Sequence, residues 1–264
     1  MSQTSGTLFG VSVGPGAPDL MTLRAVRIIA ACPVIAYPQA EGIAPFAKTI
    51  AAAHLRDSQI EIPMVMPMVA SRFPAQEVYE AAASDIRAHL RAGRDVAVLC
   101  EGDSLLYGSF MYLLERLRDV PVEIVPGVSS VFAVSAAAAY PLVSRNETLS
   151  LVSGVLDDAA LKARFDTADA LAIFKVGRHF NRLKTLITQL GLLENATYVE
   201  RASLENQVVL PLKDVAYQAD PAEKSDSKIS DSKTPNSQMA GSQTHETRNA
   251  PYFSMIVVRK GPLS

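Results

Sequence analysis

The chain has 264 residues, 48% of them hydrophobic, with 25 basic against 27 acidic side chains and a formal charge of −2. That length suits two domains with sizeable cores, and the charge excludes the broad basic footprint of a nucleic-acid binder while leaving room for a local basic pocket. No apolar run reaches the ~18 residues of a membrane span, and residues 1–6 lack a basic-then-apolar signal pattern, so a cytoplasmic protein is expected, with Cys32 and Cys100 as reduced core thiols.

Thr7-Leu8-Phe9-Gly10-Val11-Ser12-Val13 reads as a first strand. It runs into Gly14-Pro15-Gly16-Ala17-Pro18-Asp19, then into a helix from about Thr22 with Leu23, Val26, Ile29 and Ala30 on one face. Strand, glycine turn and helix invite comparison with the dinucleotide fingerprint, but the third glycine is missing. Two prolines also remove N–H groups that would wrap a pyrophosphate. The loop is suited to approach a ligand without gripping phosphate. Residues 33–37 predict a second strand, closed by Pro38, and residues 44–55 have helical composition. Met64, Met66 and Met68 alternate, which predicts an extended segment with one apolar face, turned to the core or walling a cavity, with core packing the commoner use. Pro63 and Pro67 argue against a central strand there.

Pro74 opens the clearest helix, with Val78, Ala82, Ile86 and Leu90 at i, i+4 spacing and Gly93 as its stop. The apolar run from Asp95 to Cys100 predicts a strand buried on both faces. It leaves on Glu101-Gly102-Asp103-Ser104, a pattern that fits either a strand-to-helix turn or the floor of a small-molecule site. A helix over 108–117, a strand at 122–125 and a second glycine turn, Pro126-Gly127-Val128-Ser129-Ser130, follow. Three strand–turn–helix units in succession predict a parallel sheet covered by helices.

Beyond Pro141 the pattern changes. Strand-like pieces at 149–152, 169–174, 196–200 and 206–211 alternate with helices at about 158–165 and 179–190, which suits a mixed-sheet α/β domain. Residues 217–250 are polar, with scarcely a large apolar side chain, and are expected to form a disordered insertion. A closing strand resumes at 252–258. The expected domains are therefore 1–121, an N-terminal α/β domain with a parallel sheet and flanking helices, and 122–264, a C-terminal α/β domain with a mixed sheet.

Several chemistries find no support. His54, His89, His179 and His245 are far apart and near no carboxylate or cysteine at ligand spacing, so no metal site is expected. There is no phosphate-binding loop ending in Gly-Lys-Ser/Thr and no nucleophile elbow. Ser129 and Ser130 follow a glycine with no evident base. Lys175 and Arg178 end a predicted strand, where they point at a ligand or form a solvated rim. What remains is group transfer from a cofactor that brings its own reactivity.

The glycine turns, in order, resemble those of the tetrapyrrole methyltransferases. The resembling stretches are Gly10 to Leu23, Glu101-Gly102-Asp103, Val125 to Ser130, and Ala172-Ile173-Phe174-Lys175-Val176. Within that family, Glu101-Gly102-Asp103, Tyr107-Gly108-Ser109-Phe110-Met111-Tyr112, Phe174 to Arg178 and Tyr252-Phe253-Ser254 are most similar to the precorrin-2 C20-methyltransferases of cobalamin synthesis. The resemblance spans nearly the whole chain outside 217–250. It implies two α/β domains with S-adenosylmethionine (SAM) in a cleft between them, S-adenosylhomocysteine as product, no metal, precorrin-2 as substrate and a homodimer. It implies that Pro15, Glu101, Gly102, Asp103, Leu106, Ser129, Ser130, Val176 and Ala202 hold the cofactor. A substrate bearing many carboxylates calls for cations, and Arg145, Lys175 and Arg178 are the candidates. No residue is assigned as a catalytic base. The same pattern fits the cobalt-loaded substrate, cobalt-factor II. Remoter readings are a methyltransferase for ribosomal RNA or diphthine, or a sensing module. One position departs from the family: Ser104 stands where proline is usual, which predicts a looser loop.

Overall fold

The computed structural model describes residues 5–66, 73–217 and 250–262, without the side chains of 73–75. The expected insertion at 217–250 lies outside the described residues save for its two ends, as do Pro67, Met68 and His245. The chain divides into two compact units, residues 1–133 with 202–205, and residues 134–201 with 206–264. Among the described residues, no helix is long and apolar enough to cross a membrane.

The first unit is built on five parallel strands: β1 (Leu8–Ser12), β2 (Val34–Ala40), β3 (Ile60–Met66), β4 (Val96–Cys100) and β5 (Val122–Val125). Their order across the sheet is β3-β2-β4-β1-β5. Strand β4 is buried at every residue, as an all-apolar run requires. Its side chains alternate between two cores. Val96, Val98 and Cys100 join Leu8, Ile86, Leu90, Phe110 and Leu113 on one face. Ala97 and Leu99 join Val11, Ile35, Ala25, Ile29 and Ile50 on the other. The helices α3 (Phe73–Arg91) and α4 (Phe110–Arg116) thus cover one face, and α1 (Leu23–Ala31) and α2 (Phe46–Ala51) the other.

Three local expectations change. In α1 the buried residues are Ala25 and Ile29, while Leu23 is 81% exposed. Thr22 caps the helix by accepting the Ala25 N–H at 3.2 Å, and that start turns Leu23 to solvent. Pro38 does not close β2, which runs on to Ala40. Beyond Ala36 the strand pairs with β3 and not with β4, so one neighbour fewer needs its N–H groups. Helix α4 begins at Phe110, two residues later than predicted. The alternation of β3 is as expected, with Ile62 and Met64 buried, and β3 is an edge strand.

The second unit has a mixed sheet in the order β6-β7-β10-β8-β9. Strands β6 (Leu149–Ser153) and β7 (Ala170–Phe174) are parallel. Strand β10 (Ser254–Arg259) runs antiparallel between β7 and β8 (Ala196–Glu200), and β9 (Val208–Pro211) is antiparallel to β8. Helices α6 (Asp158–Thr167) and α7 (Phe180–Gln189) bring Leu161, Phe165, Phe180, Leu183 and Ile187 onto one core with Ile173, Tyr198 and Ile256. An eight-residue helix, α5 (Ser130–Ala137), follows the second glycine turn.

In the first unit, Gly10 leaves no room for a side chain. A Cβ there would lie 2.6 Å from the Phe110 ring, which is itself fully buried. Gly10→Ala is expected to cost about 1–3 kcal/mol in denaturant unfolding. The cost should shrink in a Phe110→Leu background; equal costs in both would show that the ring is not what excludes the methyl.

Candidate functional site

Parallel sheets leave their ligand sites at the carboxyl ends of the strands. In the first unit the ends of β1, β4 and β5 carry the glycine turns, and two of those turns are tied backbone to backbone. Gly102 donates its N–H to the Gly14 carbonyl at 2.7 Å, and Gly14 donates back to Gly102 at 3.3 Å. Both sit at positive φ, +82° and +63°, where a Cβ is strained. Beneath this bridge, Ser12 and Ser104 are fully buried with their hydroxyl oxygens 2.7 Å apart. Ser104 also donates its backbone N–H to Ser12 Oγ at 2.9 Å. The looser loop expected from serine at this position is therefore corrected. The N–H that proline would lack is used to fasten the loop.

Asp103 ties the loop after β4 to the loop after β5. Its Oδ1 accepts the Leu105 N–H at 3.0 Å and its Oδ2 the Gly127 N–H at 3.1 Å. A Cβ at Gly127 would stand 2.4 Å from Ser12 Cβ, so this turn packs directly on the end of β1. Ser129 is buried and accepts the Val131 N–H at 3.4 Å, and Ser130 opens α5. The segment 202–205 closes on the first glycine turn: Ala17 donates to Ser203 Oγ at 3.1 Å, and Leu204 lies against Gly16. Pro15, Glu101, Gly102, Asp103, Leu106, Ser129, Ser130 and Ala202 thus all belong to the first unit, at its strand ends and the segments tied to them.

Glu101 is the electrostatic exception. Burial pushes its carboxyl above the usual range, only partly offset by its own backbone N–H and that of Ala47. Cys32 and Cys100 are buried free thiols, each pushed up to about 12 mainly by burial, which keeps them protonated and unreactive. Among the described residues, no group of three or more His, Cys, Asp or Glu is placed to hold a metal ion.

The second unit holds the remaining candidates. Val176 is completely buried in its hydrophobic core. Lys175 and Arg178 are exposed at the carboxyl end of β7. Arg145 is also exposed, but it precedes β6. Because Leu149 pairs with Ala170 and Ser153 with Phe174 in parallel register, Arg145 stands at the opposite end of these strands. Five residues of strand separate the two ends by about 16 Å. The structure groups Lys175 with Arg178 and leaves Arg145 apart.

Sequence reasoning did not find the buried cluster at the end of β8. Glu200, 1% exposed, accepts from Tyr198 at 2.9 Å, from Tyr217, and from Arg201 at 2.7 Å. Burial raises both phenols, Tyr217 to about 12. Each polar atom there has a partner, so the cluster reads as support. A cavity of about 300 Å³ lined by Tyr140, Pro141, Asn195, Arg259, Gly261 and Pro262 was likewise not foreseen. Arg259 at its wall is committed to Glu147 and to the carbonyls of Leu142, Gly261 and Pro262.

The raised Glu101 has a consequence with a definite sign. Its stability contribution is present below the unfolded carboxylate pKa and is lost as pH rises through the higher folded value. Glu101→Gln should therefore melt above the parent at about pH 7.5 and level with it at about pH 4. A variant that melts lower at about pH 7.5 would show the ionised carboxylate to be stabilising.

A profile of the Tetrapyrrole (Corrin/Porphyrin) Methylases matches residues 7–216. The CobIJ cobalamin biosynthesis protein of Mycobacterium tuberculosis is 43% identical over 219 residues, covering 80% of this chain and 43% of that protein. The chain thus spans less than half the length of that relative. A precorrin-2 C(20)-methyltransferase from Sinorhizobium is 32% identical over 262 residues, 96% of this chain and 95% of the relative. The uroporphyrin-III C-methyl transferase of Thermus thermophilus, solved with S-adenyl homocysteine, superposes with a TM-score of 0.60 at 22% identity, covering 97% of this chain and 98% of that one. That likeness is one of fold. The profile match across most of the sequence shows that the chain belongs to the tetrapyrrole (corrin/porphyrin) methylases.

Proposed function

We propose that the chain is a SAM-dependent C-methyltransferase of cobalamin biosynthesis that methylates precorrin-2 at C20 to give precorrin-3A. The observation that carries this reading is the near end-to-end likeness to the Sinorhizobium protein of that name. The geometry of the first unit supports it.

The residues present fit SAM. The tied glycine turns bring backbone close to one place without a phosphate-gripping loop, because Pro15 and Pro18 contribute no N–H. Carboxylates at Glu101 and Asp103 suit a cationic ligand and ribose hydroxyls. Ser129, Ser130 and the start of α5 suit a carboxylate such as the methionyl end. Pro15, Gly102 and Leu106 contribute backbone and apolar contact, and the family resemblance assigns Ala202 to adenine, whereas Val176, buried in the core of the second unit, has no exposed surface to offer.

Bound SAM supplies an activated methyl group, whose transfer to the electron-rich carbon releases S-adenosylhomocysteine and a proton. The protein's own task is alignment. Holding both reactants in line provides up to roughly 7–11 kcal/mol of the barrier. Asp103 serves that task through its two backbone partners, which fix the loops after β4 and β5 before any ligand arrives. Lys175 and Arg178 are assigned to substrate carboxylates.

Incubating the protein with precorrin-2 and SAM labelled in the methyl group, then locating the label by NMR, tests the reaction. Label at C20 is expected. Label at another carbon, or turnover only of the cobalt-loaded substrate, would overturn the assignment. For the site, Asp103→Ala removes the acceptor for two N–H groups and should weaken SAM binding roughly 10- to 100-fold by calorimetry. Unchanged affinity would remove Asp103 from the cofactor site.

A further inference from the structure

Tyr252 and Phe253 stand just ahead of β10, 84% and 39% exposed. Their rings meet edge to face, with centroids 5.0 Å apart and an interplanar angle of 82°. Two adjacent large rings stand in water here, and their mount is fixed. The Phe253 carbonyl accepts the Arg201 N–H at 2.8 Å, Ser254 Oγ donates to the Pro251 carbonyl at 2.6 Å, and Ser254 pairs with Glu200 in the sheet.

Their surroundings follow from register. Ile256 pairs with Ile173 in antiparallel sense, so residues ahead of Ser254 run past the carboxyl end of β7. There they meet the segment bearing Lys175 and Arg178: a Cβ added at Gly177 would touch the Ala250 carbonyl at 4.0 Å. The parallel neighbour β6 ends at the same side and is followed by exposed Val155 and Leu156. One end of the second sheet thus offers an aromatic pair, two aliphatic side chains and a cationic rim.

We propose that Tyr252 and Phe253 form a platform on which the flat face of the tetrapyrrole substrate lies, with Lys175 and Arg178 taking its peripheral carboxylates. This rests on the function proposed above and adds the surface that recognises the ring. An apolar face with an anionic edge is the complement of an aromatic surface with a cationic edge. A second copy of the chain is the weaker occupant. A symmetric contact would set the same patch against itself and bring Lys175 and Arg178 towards their own copies. Two rings and two aliphatic side chains also fall well short of the roughly 800 Å² per partner that stable association buries.

Tyr252→Ala in the full chain is the test, because a ring this exposed can be removed with little effect on folding. The KM for precorrin-2 should rise roughly tenfold while SAM affinity and melting temperature hold. Tyr252→Phe, which keeps the ring, should recover most of the parental KM. Lys175→Gln with Arg178→Gln should weaken substrate binding and flatten its salt dependence. An unchanged KM in Tyr252→Ala overturns the platform, and so does a loss of self-association by sedimentation with the KM intact. If the parent turns over no precorrin-2, titration with uroporphyrin, a flat porphyrin octacarboxylate, separates the two readings. Parental binding that weakens in Tyr252→Ala keeps the platform and discards the reaction; equal binding, or none in either protein, discards the platform as well.

Discussion

The reciprocal hydrogen bonds between Gly14 and Gly102 are the constraint on which the candidate cofactor site depends. They carry the pairing of β1 with β4 past the strands and into the loops, where backbone polar groups would otherwise be left to water or ligand. Only residues tolerant of positive φ fit on both sides. The buried serine pair beneath the bridge and the Asp103 link to Gly127 then fasten three loops to one another. Loops held this way lose little entropy when a ligand binds, which is where preorganised sites gain affinity.

Two carboxylates, Glu200 fully buried and Glu101 partly so, show how differently the fold treats charge. Glu200 is surrounded by two phenols and a guanidinium, so its burial is compensated. Glu101 sits at a strand end with backbone N–H groups as its partners, and burial raises its pKa. Among the described residues no cation acts on its carboxyl, and a site that tolerates such a group is suited to receive a cationic ligand. The same contrast holds for backbone strain. Four of the six non-glycine residues at positive φ among the described residues, Tyr107, Lys175, Arg201 and Ser203, lie in loops that leave the carboxyl ends of strands, while Ala139 follows α5 and Arg145 precedes β6. Strain gathered at such ends marks where the backbone is shaped for something other than packing.

Much of this architecture was legible because hydrophobic period reports burial directly. The uninterrupted run of β4 meant two covered faces, the alternation at Met64 and Met66 meant one apolar face, and Pro63 argued against a central place in the sheet. Leu23 misled because four apolar residues at helical spacing define two stripes, and Met21, Ala25 and Ile29 form the one that packs. The glycine turns could be read because their residue types are chemically restrictive. The Ser12–Ser104 pair could not, since its members lie 92 residues apart and a serine at a strand end fits many roles. Arg145 shows the same limit: sequence places it in one list with Lys175 and Arg178, whereas parallel register sends it to the other end of the strands.

Direction of pairing, more than composition, decides what the second unit can present. Strands β6 and β7 run parallel, and β10 runs antiparallel to both β7 and β8. The carboxyl ends of β6, β7 and β8 therefore lie on the same side as the start of β10, where Gly177 and Arg201 meet Ala250 and Phe253 and the loop 153–156 lies against Phe174 and Lys175. Had the closing strand been parallel, Tyr252 and Phe253 would have entered at the end occupied by Arg145, away from the paired cations. A chain whose formal charge is −2 can still offer a cationic, aromatic surface to an anionic ring, because sheet topology gathers at one edge what composition dilutes over the whole.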